Sequence, residues 1–157
     1  MGGLYTRKKS VEMVDCCDPI VHSTVRFHAP MDEPKKILKK ILIIEDEKPL
    51  ARALELKLGK EGFTVKVVND GQEASNVLTT EKYDVIVLDL VIPKIDGFSI
   101  LTKVRDEHIT TPVIVASNLG QPEDMNRAKT LGAKQYFVKS STPLTEIVAE
   151  VRKLSQT

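Results

Sequence analysis

The chain has 157 residues, 41% of them apolar, and a formal net charge of +1. That length allows one ordinary domain with a real core and little more. Residues 37–157 hold 17 basic and 17 acidic side chains, which leaves no basic stripe for nucleic acid, and no apolar run approaches the roughly 18 residues of a membrane span.

Residues 1–36 show no sustained period of 2 or 3.6. They carry Pro19, Pro30 and Pro34 and end in the polar run Asp32-Glu33-Pro34-Lys35-Lys36. This composition reads as a disordered or loosely packed extension. Met31 offers a second start, which would make residues 1–30 an upstream artefact or an accessory arm. Arg7, Lys8 and Lys9 are followed by Glu12, Asp15 and Asp18, which interrupt any signal core. The protein therefore reads as cytoplasmic. Cys16-Cys17 reads as a pair of reduced thiols, because no further Cys or His stands at ligand spacing.

A regular pattern begins at Lys39. Residues 40–44 read as a strand, followed by a helix from near Pro49, a residue well placed in a first turn. Leu50, Leu54 and Leu58 recur at helical spacing, and Gly59 or Gly62 ends the helix. A second strand, 64–68, leads through the Asn69-Asp70-Gly71 turn to a short helix with Ala74, Val77 and Leu78 inward. The third strand is 84–88. The loop 89–97 carries Pro93 and Asp96-Gly97 as turn chemistry. A third helix points Phe98, Leu101 and Val104 inward, and His108 near its end reads as exposed. The fourth strand is 112–116. A fourth helix begins near Pro122, with Met125, Ala128 and Leu131 inward and Gly132 as its stop. The fifth strand is 134–138, and the last helix starts near Pro143, with Leu144, Ile147, Val148, Val151 and Leu154 at helical spacing. Five βα units in about 120 residues imply a doubly wound parallel sheet with right-handed crossovers.

Strands of a parallel sheet are buried on both faces and read as continuous apolar runs. Ligands bind outside their carboxyl ends. Here those ends carry Glu45 and Asp46, then Asp89, then Ser117, then Lys139. Acids held close repel, so such a pocket needs a cation at neutral pH. A hard, oxygen-lined site suits Mg²⁺. Three carboxylates are neutralised by one Mg²⁺ and Lys139 together. The set makes a phosphoryl site: acids for the metal, one acid as nucleophile, a hydroxyl and an amine for the phosphoryl oxygens.

These residues resemble the receiver domain of two-component response regulators. Ile41-Leu42-Ile43-Ile44-Glu45-Asp46-Glu47 is similar to the family's first strand and acidic pair. Val85-Ile86-Val87-Leu88-Asp89, continuing to Pro93-Lys94-Ile95-Asp96-Gly97, resembles the phosphoacceptor strand and its loop. Pro112-Val113-Ile114-Val115-Ala116-Ser117 resembles the strand ending in the switch hydroxyl. Tyr136-Phe137-Val138-Lys139 resembles the last strand, with the switch aromatic three positions before the lysine. The likeness spans about residues 38–155. It implies a flavodoxin-like (βα)5 fold with strand order 2-1-3-4-5.

The resemblance implies that Asp89 is phosphorylated and that Glu45, Asp46, Asp89 and the Val91 backbone carbonyl hold Mg²⁺. It implies that Ser117 and Lys139 meet the phosphoryl group and that Tyr136 reports the switch. It also implies partners: a sensor histidine kinase or histidine phosphotransfer protein as donor, and a protein target on the face of the fourth helix, fifth strand and fifth helix. Three positions depart from the pattern. Glu45 stands for the usual Asp, Asn118 for a small residue, and Ser140 for a proline whose preceding bond is typically cis. A cis bond before Ser costs about 2.5–4 kcal/mol, against about 0.5–1 before proline. Val91 and Leu119 flank the path of attacking water in this family and cannot orient it, so a long-lived acyl phosphate is expected.

Other classes fit less well. A haloacid-dehalogenase-type phosphatase wants a second Asp where Val91 stands. A phosphorylation-independent binding module would be expected to lose an acid or the lysine. A DNA-binding regulator would need an effector domain beyond residue 157. The expectation is a stand-alone receiver, no enzyme toward other molecules, without direct nucleic-acid or membrane binding. The alternative is the receiver part of a larger regulator.

Overall fold

The computed structural model describes residues 38–156. The expectations for residues 1–36, including Cys16-Cys17 and Met31, lie outside the described residues. The elements alternate as β1 (Lys40–Ile44), α1 (Lys48–Lys60), β2 (Thr64–Val68), α2 (Gly71–Thr80), β3 (Val85–Leu88), α3 (Gly97–Asp106), β4 (Val113–Ser117), α4 (Pro122–Thr130), β5 (Gln135–Val138) and α5 (Leu144–Ser155). All strand pairs are parallel, in the order β2-β1-β3-β4-β5. The fold expected from the sequence is the fold observed.

Side chains alternate across a strand, so each strand feeds two cores. Ile41, Ile43, Val85, Val87, Ile114 and Ala116 pack with Leu54 and Leu58 of α1 and with Ile147, Val148 and Val151 of α5. Leu42, Ile44, Ile86, Leu88, Val113 and Val115 pack on the other face, with Ala74, Val77 and Leu78 of α2, Phe98, Leu101 and Val104 of α3, and Ala128 of α4. β1 and β3 are central and covered on both sides, hence their unbroken apolar runs. Each aliphatic side chain fully buried here stabilises by about 1.5–3 kcal/mol.

Local chemistry sets the ends. Asp70 and Asp96 are N-caps whose carboxylates accept from the backbone N–H groups of Glu73 and Ser99, at 2.8 and 3.2 Å,. Gly62 follows α1 with φ +89°, the left-handed conformation that lets a helix end there without a Cβ penalty. Among the described residues no helix is long and apolar enough to cross a membrane.

Several boundaries correct the sequence reading. β3 starts at Val85 and β5 at Gln135, one residue later than expected. β4 runs from Val113 through Ser117, because Pro112 has no N–H for a ladder while Ser117 still pairs with Val138,. In α4 only Ala128 is buried. Met125 is only half-buried, and Leu131, just past the end of α4, is half-buried but packs against the core as expected.

Candidate functional site

Register brings the strand ends level. Ile44 lies opposite Leu88, so Glu45 and Asp89 leave the sheet side by side. Leu88 lies opposite Val115, and Ser117 opposite Val138. Ser117 and Lys139 therefore finish their strands at the same edge. Glu45 is 2% exposed and Asp89 4%, which is rare for carboxylates unless they are paired.

Their partner is Lys139. Its Nζ donates to Asp89 Oδ2 at 2.6 Å, to Glu45 Oε1 at 2.7 Å and to Glu47 Oε1 at 3.3 Å. An ammonium has three hydrogens, and all are used. The second Asp89 oxygen, Oδ1, accepts from the Val91 N–H at 3.0 Å. The Lys139–Ser140 peptide is trans, so the lysine reaches the acids without the cis proline bond the family usually has after it.

The carboxylate oxygens of Glu45, Glu47 and Asp89 lie within 4.8 Å of one another. The sequence pointed to Asp46 and gave Glu47 no role. Asp46 is exposed and stands outside this group. Glu47 is exposed too, but its carboxylate reaches Lys139, 3.3 Å away. Glu47 is also the N-cap of α1, yet its side chain makes no capping bond and goes to Lys139 instead.

Three carboxylates around one ammonium leave an excess of negative charge. Burial pushes the Glu45 carboxyl up to about 7, although its hydrogen bond and ion pair with Lys139 pull the other way,. Burial alone would lower the Lys139 ammonium. Its hydrogen bonds to Asp89 and Glu45 outweigh that and hold it above the ordinary lysine range. The pocket is short of positive charge and rich in hard oxygen donors, and its residues fit a divalent cation such as Mg²⁺.

The remaining candidates surround this centre. Ser117 is fully buried, and its Oγ accepts from the Leu119 N–H at 3.4 Å. Tyr136 is half-buried on β5, and its Oη donates to the Leu119 carbonyl at 2.7 Å. Both side chains therefore hold the loop that follows β4. Burial raises the Tyr136 phenol above its usual range, assisted by the charges of Asp124 and Asp89. Val91 is 56% exposed at the pocket mouth. Asn118 reaches across to Glu47 Oε1 at 3.5 Å. Below the acids, Gly97 opens α3 hard against the site: a Cβ there would lie 2.5 Å from the Asp89 carbonyl oxygen.

This edge has the composition and order of a receiver phosphorylation site, and the profile of the response regulator receiver domain matches residues 41–152. The chain belongs to the response regulator receiver family. Similar proteins include the response regulator ArlR of Staphylococcus epidermidis, 37% identical over 112 residues, which cover 71% of this chain and 50% of that one. The alkaline phosphatase synthesis transcriptional regulatory protein PhoP of Bacillus subtilis is 33% identical over 116 residues, or 74% of this chain and 48% of that one. The receiver chain spans about half the length of the curated relatives it matches. Among solved structures, the receiver domain of the Francisella response regulator 1452 superimposes with TM-score 0.72 at 33% identity, covering 75% of this chain and 97% of that one. The beryllofluoride-activated receiver domain of Klebsiella pneumoniae RstA gives 0.70 at 26% identity, covering 76% and 100%.

Within the receiver, the structure brings Glu45, Asp89 and Lys139 into direct contact and adds Glu47. It ties Ser117 and Tyr136 to the loop that follows β4 and leaves Asp46 exposed. The signal for Glu47 was present, because it is the third acid of an unbroken acidic run.

Proposed function

We propose that Asp89 takes a phosphoryl group from the phosphohistidine of a sensor histidine kinase or a histidine phosphotransfer protein. The observation that carries this reading is a carboxylate buried at the sheet edge and held by Lys139 at 2.6 Å. In the transfer, an Asp89 oxygen bonds to phosphorus, the donor's phosphorus–nitrogen bond breaks, and the imidazole leaves with a proton. Mg²⁺, when bound, supplies positive charge to the phosphoryl oxygens. Glu45, Asp46, Asp89 and the Val91 backbone carbonyl would hold it, with Glu47 as a further acid beside them. Lys139 neutralises phosphoryl oxygens, and Ser117 donates a hydrogen bond to them.

The domain acts on no other substrate. It catalyses its own aspartyl phosphorylation and a slow loss of the group, because Val91 and Leu119 orient no water. Ser117 and Tyr136 carry the change to the face of α4, β5 and α5. The tie from Tyr136 to the loop before α4 supports that route. A protein target reads this face in the cytoplasm, and the domain itself contacts no nucleic acid.

A second reading has support of its own. The relatives are named transcriptional regulators and are about twice as long as the matched segment. In that reading the same face would signal to a DNA-binding part of one polypeptide. The size of the native polypeptide on an immunoblot separates the two.

Incubation of the protein with Mg²⁺ and acetyl phosphate is expected to add one phosphoryl group by intact mass, and Asp89→Asn to abolish the addition. Full modification of the variant would overturn the assignment.

A further inference from the structure

We propose that Arg127 is a positioning residue that clips α4 to the helix carrying the phosphoacceptor loop, giving Asp89 a second route to the output face. The proposal rests on Asp89 being the phosphoacceptor, as proposed above.

The route starts in the backbone. The Gly97 N–H donates to the Leu90 carbonyl at 3.0 Å. A Cβ on Gly97 would lie 2.5 Å from both the Asp89 carbonyl oxygen and the Leu90 Cα. The first residue of α3 is thus seated on the peptide unit that follows the phosphoacceptor. A shift of that peptide has no slack to absorb it, since packed interiors pass displacement on.

The next residue is Phe98. Its ring is 8% exposed, and the Arg127 guanidinium carbon lies 4.1 Å from its centroid. That is well inside the range of a cation–π contact. The contact joins α3 directly to α4.

α4 is the helix on which such a contact weighs most. It buries Ala128 alone, whereas α1 buries three residues, α2 four, α3 five and α5 four. Elements with few buried contacts open most readily. The loop that leads into α4 is restrained by Tyr136 through the Leu119 carbonyl. Two restraints therefore act on one weakly seated helix. One comes through Ser117 and Tyr136, and the other through Gly97, Phe98 and Arg127. A cation–π contact of ordinary strength changes the population of a displaced α4 by about 2- to 5-fold.

The test uses the full chain with Arg127→Gln and Arg127→Lys. Without any phosphodonor, amide hydrogen exchange across residues 122–130 is expected to quicken about 2- to 5-fold in Arg127→Gln. It should quicken less in Arg127→Lys, and amides of β1 and β3 should not change. A merely structural role would speed β1 and β3 as well, and that result overturns the proposal, as does unchanged α4 exchange. The second arm adds beryllofluoride. Ser117→Ala is expected to keep part of the α4 chemical-shift response, and the Ser117→Ala/Arg127→Gln pair to lose the remainder. A response equal in both variants overturns the second route. Occupancy is read separately from the amides of Val91 and Lys139. Their silence would count against the phosphoacceptor assignment and leave the clip to be judged by the first arm.

Discussion

Replacing Glu45 by Gln is expected to stabilise the metal-free domain at high pH and do little at low pH. The Glu45 carboxyl sits at about 7 in the fold, against an ordinary 4.5. The folded state therefore binds this proton more tightly than the unfolded state does. Stability from this group is fully present below about 4.5, falls as pH rises to about 7, and stays low above that,. At about 1.4 kcal/mol per pH unit of difference, the ionised carboxylate costs the fold about 3 kcal/mol at pH 8 and under about 1 kcal/mol at pH 5. Gln keeps the shape and an acceptor for Lys139 but cannot ionise. Its own amide needs satisfying, so the expected gain at pH 8 is about 1–3 kcal/mol, a large part of a domain's typical 5–15. Urea unfolding in a chelator at pH 5 and pH 8 measures it. With a slope of about 1–3 kcal/mol per molar, the midpoint should move up visibly at pH 8 only. A variant less stable than the parent at pH 8 would refute the reasoning. An equal change at both pH values would refute it too, because packing rather than charge would then be the cause.

Two further outcomes follow from the same site. Mg²⁺ is expected to raise the melting temperature of the parent, with about 2.7 kcal/mol gained at 100 times the dissociation constant. Asp46→Ala should keep the fold, because the side chain is exposed, but lose that rise; an undiminished rise would move the site to Glu47. The double variant Val91→Asn, Leu119→Glu should lose its acyl phosphate faster than the parent in Mg²⁺ buffer. Water positioning contributes up to about 10²–10⁴-fold, so equal or slower loss would show that these side chains do not limit hydrolysis.

The fold was legible because its signals were redundant. Residues 41–44, 85–88 and 113–116 are unbroken apolar runs, and turn chemistry at Asp70-Gly71 and Asp96-Gly97 punctuates the chain. α4 was less legible. Its periodicity suggested three inward residues, yet only Ala128 is buried. A stripe of spacing says which side chains share a face. It does not say how deeply that face sits, which depends on the neighbour across from it. Here Phe98 of α3 also meets α4 through a guanidinium, and no one-dimensional pattern carries that.

The chemistry of the site was readable residue by residue, but its pairing was not. Asp89, Glu45 and Lys139 were named from strand ends, and the fold brings them together. Asp46 and Glu47 both lie past the end of β1, where no strand pattern marks which of them stands with Glu45 and Asp89. The Glu47 side chain is largely exposed yet reaches Lys139, and α1 begins without using it as a cap. Ser140 stands where a proline usually follows the lysine, so the sequence left the form of that peptide bond open. The lysine is held from its far end. Three acceptors at 2.6, 2.7 and 3.3 Å saturate the ammonium, and two of them are carboxylates almost wholly out of water. The Lys139–Ser140 bond itself keeps the trans form that a non-proline residue favours,. The long side chain has the freedom to reach them from a trans backbone.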